Sequence, residues 1–347
     1  MALAQWQNTE LQDAHTLLPD SEYNSRKPIL SNLMYLKNNE YFNLIHPGQT
    51  FFGTQMELSF TFRKKAYQGP LTLRYGALIQ QDFGDTKFPS KVLPKITLSY
   101  QGKNTLIEGG TLRSHVNHGM HDAMLNYESA LTNPVEYGAS FTNELKHLQT
   151  HAWLEWRSLA NIRAQQAEEI IFGARLQYDI NPKSPVIISI PSQFLIYHKG
   201  GQGISNPVIT RINTLAGLEA RSRNKRITIG SNVFFSADNS PQNQQAFSGG
   251  YAFYSYATVR FKNHAFHSAF WHAYQYTNTL GNPIFGNVNI EYPYANQQVR
   301  QLVSLRYGYT RKITESSYLN FRVEPFYDLY TKKLEHSAAL FFRTFWL

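Results

Sequence analysis

The feature that most constrains the fold of this sequence is a long two-residue alternation of apolar and polar side chains. Between Phe52 and Phe62, five of six alternate positions are apolar, and the positions between them are mostly polar. The same alternation recurs later, for example at residues 170–180 and 299–309. Because successive side chains of a strand point to opposite faces, this pattern predicts β-strands with one apolar face and one polar face.

Many of these segments contain ten or more residues. Strands of ordinary globular proteins centre on about five or six residues, whereas a tilted strand needs about nine to eleven to cross a membrane. The sequence therefore predicts an all-β fold, a transmembrane antiparallel up-and-down β-barrel. The predicted strands are 51–64, 70–80, 92–101, 104–113, 135–143, 150–158, 169–180, 185–198, 208–221, 225–236, 250–262, 264–277, 298–312, 317–329 and 335–347.

The connections between these strands alternate between short turns and longer loops. This alternation is typical of bacterial barrels, in which short turns face the periplasm and long loops face outward. An ascending strand must then precede residue 51, and 29–45 is the only candidate, which gives about sixteen strands, with fourteen as the alternative. We expect residues 1–28 to form a periplasmic N-terminal lead and residues 29–347 to form the barrel. The predicted short turns are 101–104, 181–184, 222–225, 263–264 and 314–316, and the longer loops are 81–91, 114–134, 199–207, 237–249 and 278–297.

Composition agrees with a barrel of the cell envelope. Charged residues make up 16% of the chain and aromatic residues 14%, and there is no cysteine, so disulfides and thiolate metal sites are excluded. The sequence lacks the run of about 18–20 apolar residues that a membrane-spanning helix requires. The segment Ala2-Leu3-Ala4-Gln5 is similar to the end of a secretory signal, which supports export.

Several segments resemble those of porin-like outer-membrane β-barrels of the Bacteroidota type. They are residues 118–122, 153–157 and 198–202 and the aromatic C-terminal segment 338–347, and the resemblance covers about residues 50–347. It implies a location in the outer membrane of a Gram-negative bacterium. The implied partners are outer-membrane lipid and lipopolysaccharide, the barrel-insertion machinery acting on the C-terminal strand, and other envelope proteins, but no nucleic acid.

The polar face of the predicted strands is rich in arginine. Charges facing lipid would each cost about 2–4 kcal/mol at mid-membrane, so we place them in the lumen. A basic lumen attracts anions, which predicts passage or binding of small anionic or polar solutes. Alternatively, arginines pair with carboxylates in a lumen blocked by loops 114–134 and 278–297, and the protein is a structural or accessory subunit of an envelope complex for secretion or surface polysaccharide. The predicted lumen or solute-binding residues are Arg63, Arg74, Arg157, Arg175, Arg211, Arg260, Arg300, Arg306 and Arg322.

Two further sites are considered and set aside. His115, His118, His121 and Asp122 could share one face of a loop helix, but no second ligand group follows at a metal-site spacing, so we expect hydrogen-bonded histidines and neither metal nor cofactor. The best hydrolase candidate, His272, lacks a serine two residues after it. We therefore predict that the chain is not an enzyme.

Overall fold

The structure is a computed structural model. It describes residues 11, 28–43, 45–66, 69–113, 115–201, 205, 207–242, 245–289 and 296–346. The predicted N-terminal lead, residues 1–28, lies outside these residues apart from positions 11 and 28. Leu347, the end of the predicted last strand, also lies outside them.

Sixteen antiparallel strands form one closed barrel. The strands are β1 Ile29–Glu40, β2 Thr50–Lys65, β3 Pro70–Asp82, β4 Lys91–Gln101, β5 Thr105–Thr111, β6 Tyr137–Glu144, β7 Leu148–Ser158, β8 Glu168–Asp179, β9 Val186–Gly200, β10 Ile209–Ser222, β11 Ile227–Asp238, β12 Gly249–Phe261, β13 His264–Tyr274, β14 Val299–Thr314, β15 Ser317–Asp328 and β16 Lys333–Trp346. Between residues 28 and 346, the described helical elements are a short α-helix, Ser129–Thr132, and two 3-10 turns, His115–His118 and Pro283–Phe285.

The barrel closes between its first and last strands. Leu30 of β1 pairs with Trp346 of β16, and Glu40 pairs with His336 at the other end of the same ladder. This confirms the predicted count of sixteen and the ascending strand at 29–45, which ends at Glu40. Apart from this closing pair, neighbouring strands of the barrel are consecutive in sequence, so the barrel is the predicted up-and-down type.

The alternation of the sequence becomes the two faces of the barrel wall. Met56 on β2 is 42% exposed on the outside, whereas its neighbour Glu57 is 7% exposed and points inward. The outer surface is a belt of aliphatic and aromatic side chains such as Leu218, Ile229 and Phe253. In the part of the chain that the structure describes, no helix is long and apolar enough to cross a membrane.

Short and long connections are segregated to opposite ends of the barrel. At the short-turn end, two residues join β12 to β13 and two join β14 to β15. The start of β1 and the end of β16 lie at this end too. The longest connections, residues 112–136 and 275–298, both leave the opposite end, which we call the long-loop end.

The described parts of these two connections, residues 112–113, 115–136, 275–289 and 296–298, enter the barrel, and we call them the plug loops. The side chains of Met124 and Ile284 are fully buried, and they belong to a cluster that includes Phe234 and Trp271 of the wall. A second cluster joins Tyr127 and Leu131 of the first plug loop to β1 and β16. Packed loop side chains therefore occupy the lumen around these two clusters.

Candidate functional site

The nine predicted lumen arginines occupy different environments. Arg63 is exposed at the short-turn end, Arg74 and Arg260 are half-buried, and Arg175 is buried inside the barrel. The remaining five make ion pairs. These pairs are Arg157 with Glu155 and Glu169, Arg211 with Asp238, Arg300 with Glu335, Arg306 with Asp122 and Glu324, and Arg322 with Glu324.

The Arg306 pairs attach the first plug loop to the wall. Nε of Arg306 lies 3.1 Å from Oε1 of Glu324, and its Nη2 lies 3.4 Å from Oδ2 of Asp122. Burial raises the pKa of the Asp122 carboxyl to about 6, and the attraction to Arg306 offsets only part of this effect. Arg322, which is completely buried, also contacts Glu324. These arginines therefore act as anchors of the plug.

A continuous chain of hydrogen bonds lies between the first plug loop and strands β6 and β7. Nε2 of His118 lies 2.6 Å from Oε2 of Glu136, and Nδ1 of His118 lies 2.8 Å from Nε2 of His151. Nδ1 of His151 lies 2.9 Å from the Oγ1 hydroxyl of Thr142. We call Thr142, His151, His118 and Glu136 the histidine relay.

The direction of the proton donors in the relay follows from Glu136. Burial raises the pKa of its carboxyl. The neighbouring His115 and His118 lower that pKa by more than burial raises it, so the pKa lies well below its usual range. An ionised carboxylate only accepts hydrogen bonds, so His118 donates from Nε2. In the tautomer in which Nδ1 of His118 accepts from Nε2 of His151, Nδ1 of His151 accepts from the hydroxyl of Thr142. His151 is thus placed to remove the proton of Thr142.

Aromatic stacking fixes both rings of the relay. The indole of Trp153 stacks on His118 with a centroid distance of 3.9 Å and an interplanar angle of 5°, and His151 stacks on the same indole at 5.5 Å. Trp153 is directly opposite Gly173 on β8. A Cβ atom at position 173 would lie 2.1 Å from Cη2 of Trp153, so only glycine accommodates the indole in this position.

A positively charged residue lies next to His151 in the sheet. Arg175 on β8 is directly opposite His151 and points into the barrel. Directly opposed residues have Cβ atoms about 4.5–5.5 Å apart. The group therefore contains a hydroxyl, a base, an orienting carboxylate and a cation, which are the components of nucleophilic catalysis.

The sequence-predicted histidine cluster is divided in the structure. His115 and His118 both contact Glu136. His121 instead packs edge-on against Phe234 and Tyr254, and burial there lowers its pKa to about 3. Among the described residues, the group that could hold a metal ion is His115, Glu136 and Glu155.

Comparison with solved structures identifies porin-like barrels as similar folds. A BenF-like porin from Pseudomonas fluorescens Pf-5 is 7% identical with a TM-score of 0.56, covering 92% of this chain and 98% of the porin. The Pseudomonas aeruginosa outer membrane protein OpdK is 9% identical with a TM-score of 0.53 and the same coverage. Pseudomonas aeruginosa OccK2 (OpdF), solved in complex with glucuronate, is 9% identical with a TM-score of 0.53, covering 92% and 97% of the two chains.

The expected resemblance to outer-membrane porins is thus confirmed at the level of the fold. No curated protein matches the chain.

One prediction from the sequence is wrong. We expected a protein that is not an enzyme, but a family model described as Lipid A 3'-O-deacylase-type, which is the name of an enzyme, matches residues 27–346. The sequence search considered only a serine close to His272, and it did not consider a hydroxyl and a histidine on neighbouring strands, such as Thr142 and His151. The chain belongs to the Lipid A 3'-O-deacylase-type family.

Proposed function

We propose that this protein is a hydrolase of acyl esters, a deacylase, embedded as a barrel in the outer membrane of a Gram-negative bacterium. The histidine relay carries this proposal, because it aligns a hydroxyl, two histidines and a carboxylate. The family name supports an ester-linked acyl chain of a lipid A-type glycolipid as the substrate. The apolar outer belt and the porin-like fold support the location.

The proposed reaction has two halves. Oγ1 of Thr142 attacks the ester carbonyl carbon while its proton passes to Nδ1 of His151, and Arg175 faces the negative charge that develops on the carbonyl oxygen. The bond between the carbonyl carbon and the alcohol oxygen then breaks, and His151 returns the proton to that oxygen. In the second half, a water molecule loses a proton to His151, and its oxygen attacks the carbonyl carbon of the acyl-threonine. The bond between that carbon and Oγ1 of Thr142 then breaks, and His151 returns the proton to Oγ1, which releases the carboxylic acid and restores the free hydroxyl.

The position of the relay indicates where substrate enters. Thr142 is two residues from the end of β6 at the short-turn end, and both Thr142 and His151 are half-buried. Toward the opposite end, side chains of the plug loops pack against the wall inside the barrel. An ester therefore approaches the relay from the short-turn end.

The test is ester hydrolysis by the full-length protein in detergent. The probes are p-nitrophenyl esters of increasing chain length and purified lipid A. We expect His151→Gln to hydrolyse the esters at least about 100-fold more slowly than the wild type, in line with the usual contribution of a general base. His198→Gln is a matched control, because His198 also binds a threonine hydroxyl at 2.9 Å but lies in strand β9, away from the relay. No hydrolysis by the wild type, or an unchanged rate in His151→Gln, would contradict the proposal.

A second candidate function is the binding of small anionic solutes at the short-turn end. A cavity of about 350 Å³ there is lined by Arg260, Lys262, His264 and Lys312. This favours binding over passage, because plug-loop side chains such as Met124 and Ile284 pack against the wall inside the lumen. Titration with glucuronate and conductance in planar bilayers would test it. We expect binding that weakens in Arg260→Gln and no sustained current, whereas anion-selective current would instead support a transport role.

A further inference from the structure

We propose that His115, Glu136 and Glu155 bind one divalent transition-metal ion of the zinc class inside the barrel. The inference deepens the proposed function and rests on it only for the role of the ion in the reaction. Three separate elements supply the ligands. His115 begins a 3-10 turn of the first plug loop, Glu136 precedes β6, and Glu155 lies on β7.

The ligand atoms of these residues are already gathered. One ring nitrogen of His115 and one oxygen of each carboxylate all lie within 4.8 Å of one another. All three residues are at least 97% buried, since their exposed fractions are 3%, 1% and 2%. Zinc ligands at about 2.0–2.2 Å from the ion are roughly 3.4 Å apart in a tetrahedral site, so small side-chain rotations are sufficient.

One ring nitrogen of the buried His115 lacks a partner among the described residues. Nδ1 lies 2.6 Å from Oε1 of Glu136, whereas Nε2 has no hydrogen-bond partner. A buried polar group without a partner is costly, and a cation bound at that nitrogen would satisfy it.

Charge and ligand type both favour a transition metal. Two buried carboxylates share the site, and Nε of Arg157 lies 3.3 Å from Oε1 of Glu155. Imidazole and carboxylate together are ligands of zinc and similar ions, whereas calcium and magnesium prefer oxygen ligands alone. Three protein ligands would leave a fourth position open, as in catalytic zinc sites.

The site would be coupled to the histidine relay through Glu136. Its Oε1 faces His115 and its Oε2 accepts the hydrogen bond from His118. A bound ion would hold Glu136 in place, and Glu136 would in turn hold the ring of His118 in the orientation in which it contacts His151. The residues of the metal site are thus positioning residues for the base.

Metal binding can be measured without any ester. The full-length protein in detergent would be stripped with a chelator and titrated with Zn²⁺ by calorimetry, with metal content measured after dialysis. Co²⁺ in place of Zn²⁺ would give visible absorption bands from the site. We expect one zinc per chain, and at least tenfold weaker binding in His115→Ala and in Glu155→Gln. His121→Gln, which changes another buried histidine of the same plug loop outside the cluster, should bind as the wild type does.

The outcomes separate this inference from the proposed function. Substoichiometric zinc, or equal binding by the wild type, His115→Ala and Glu155→Gln, would overturn the metal site, even if ester hydrolysis depends on His151. Stoichiometric zinc that depends on His115 and Glu155, together with no hydrolysis of any ester, would support the metal site and overturn the deacylase proposal.

Discussion

Thr142 and His151 are directly opposite each other in the β6–β7 ladder, and the hydroxyl of the first lies 2.9 Å from Nδ1 of the second. Their side chains share the inner face of the wall because the register of two rigid strands places them there. A three-residue turn between Glu144 and Leu148 fixes that register. Sites built on strands hold their geometry better than sites built on loops, so this hydrogen bond is a sound basis for testing the relay.

Removing the hydroxyl of Thr142 should abolish ester hydrolysis without unfolding the barrel. We expect Thr142→Val to lower the rate at least about 100-fold, because valine has a similar shape and no nucleophilic oxygen. Thr142→Ser keeps the hydroxyl and should retain activity within about tenfold. Both rates would be measured in detergent beside thermal unfolding. Equal activity of Thr142→Val and the wild type would show that a water molecule, and not this hydroxyl, attacks the ester.

Gly173→Ala should disturb the relay from the neighbouring strand. The added Cβ would lie 2.1 Å from Trp153, so the indole must move and lose its stacking on His118. Overpacking of this kind costs about 1–3 kcal/mol of unfolding free energy, and we expect the ester rate to fall by roughly tenfold. The matched control is Gly109→Ala, because a Cβ at that position meets nothing within 4 Å. An equal fall in the ester hydrolysis rate of both variants would contradict the role of Gly173 in positioning Trp153.

Stability should depend on pH through Asp122. Its pKa rises from 3.8 to about 6 in the folded protein, so the folded state holds this proton more tightly than the unfolded state does. Asp122 therefore favours folding below about pH 4, and its contribution becomes unfavourable as the pH rises towards and beyond 6. We expect Asp122→Asn to be more stable than the wild type at pH 8 by up to about 3 kcal/mol, with no advantage at pH 4. The measurement is the unfolding temperature of both proteins between pH 4 and pH 8. A difference between the two proteins that does not change with pH would refute the expectation.

The buried pair of Arg300 and Glu335 should show a non-additive response to substitution. Both side chains are completely buried, with Nη2 of Arg300 at 3.7 Å from Oε1 of Glu335. Arg300→Met would leave the carboxylate without its cation, which costs about 3–5 kcal/mol. Adding Glu335→Gln should recover much of that loss, since the neutral amide can still accept the hydrogen bond from Asn43. Urea unfolding of the single and double variants would measure the coupling, and additive losses would contradict it.

Most of the fold follows from local sequence signals. The alternation around Met56 and Glu57 predicts which face is buried, because a strand has a fixed period of two. The first strand did not follow from its own alternation. Residues 29–45 were predicted to be a strand because the direction of the later strands requires an ascending strand before residue 51. The observed strand ends at Glu40, where the chain turns toward β2.

The candidate site follows from sequence only in part. His115 and His118 were noticed because they are close together in one loop, yet their common partner Glu136 lies eighteen residues beyond His118. His151 and Thr142 give no local signal, because the barrel register alone brings them to the plug loop. For the same reason, the inward direction of Arg306 and Arg322 was predictable, whereas their shared carboxylate, Glu324, was not assigned to them.

The pairing of Leu30 with Trp346 joins the first strand of the barrel to its last. During folding, the outer edge of the first strand must wait for the last strand before its backbone amides and carbonyls find partners. Until then, two unprotected sheet edges remain available to other polypeptides, which makes the partly folded molecule prone to aggregation. Contacts between residues so far apart in sequence form slowly, so these two edges stay exposed for longer than the edges inside each hairpin.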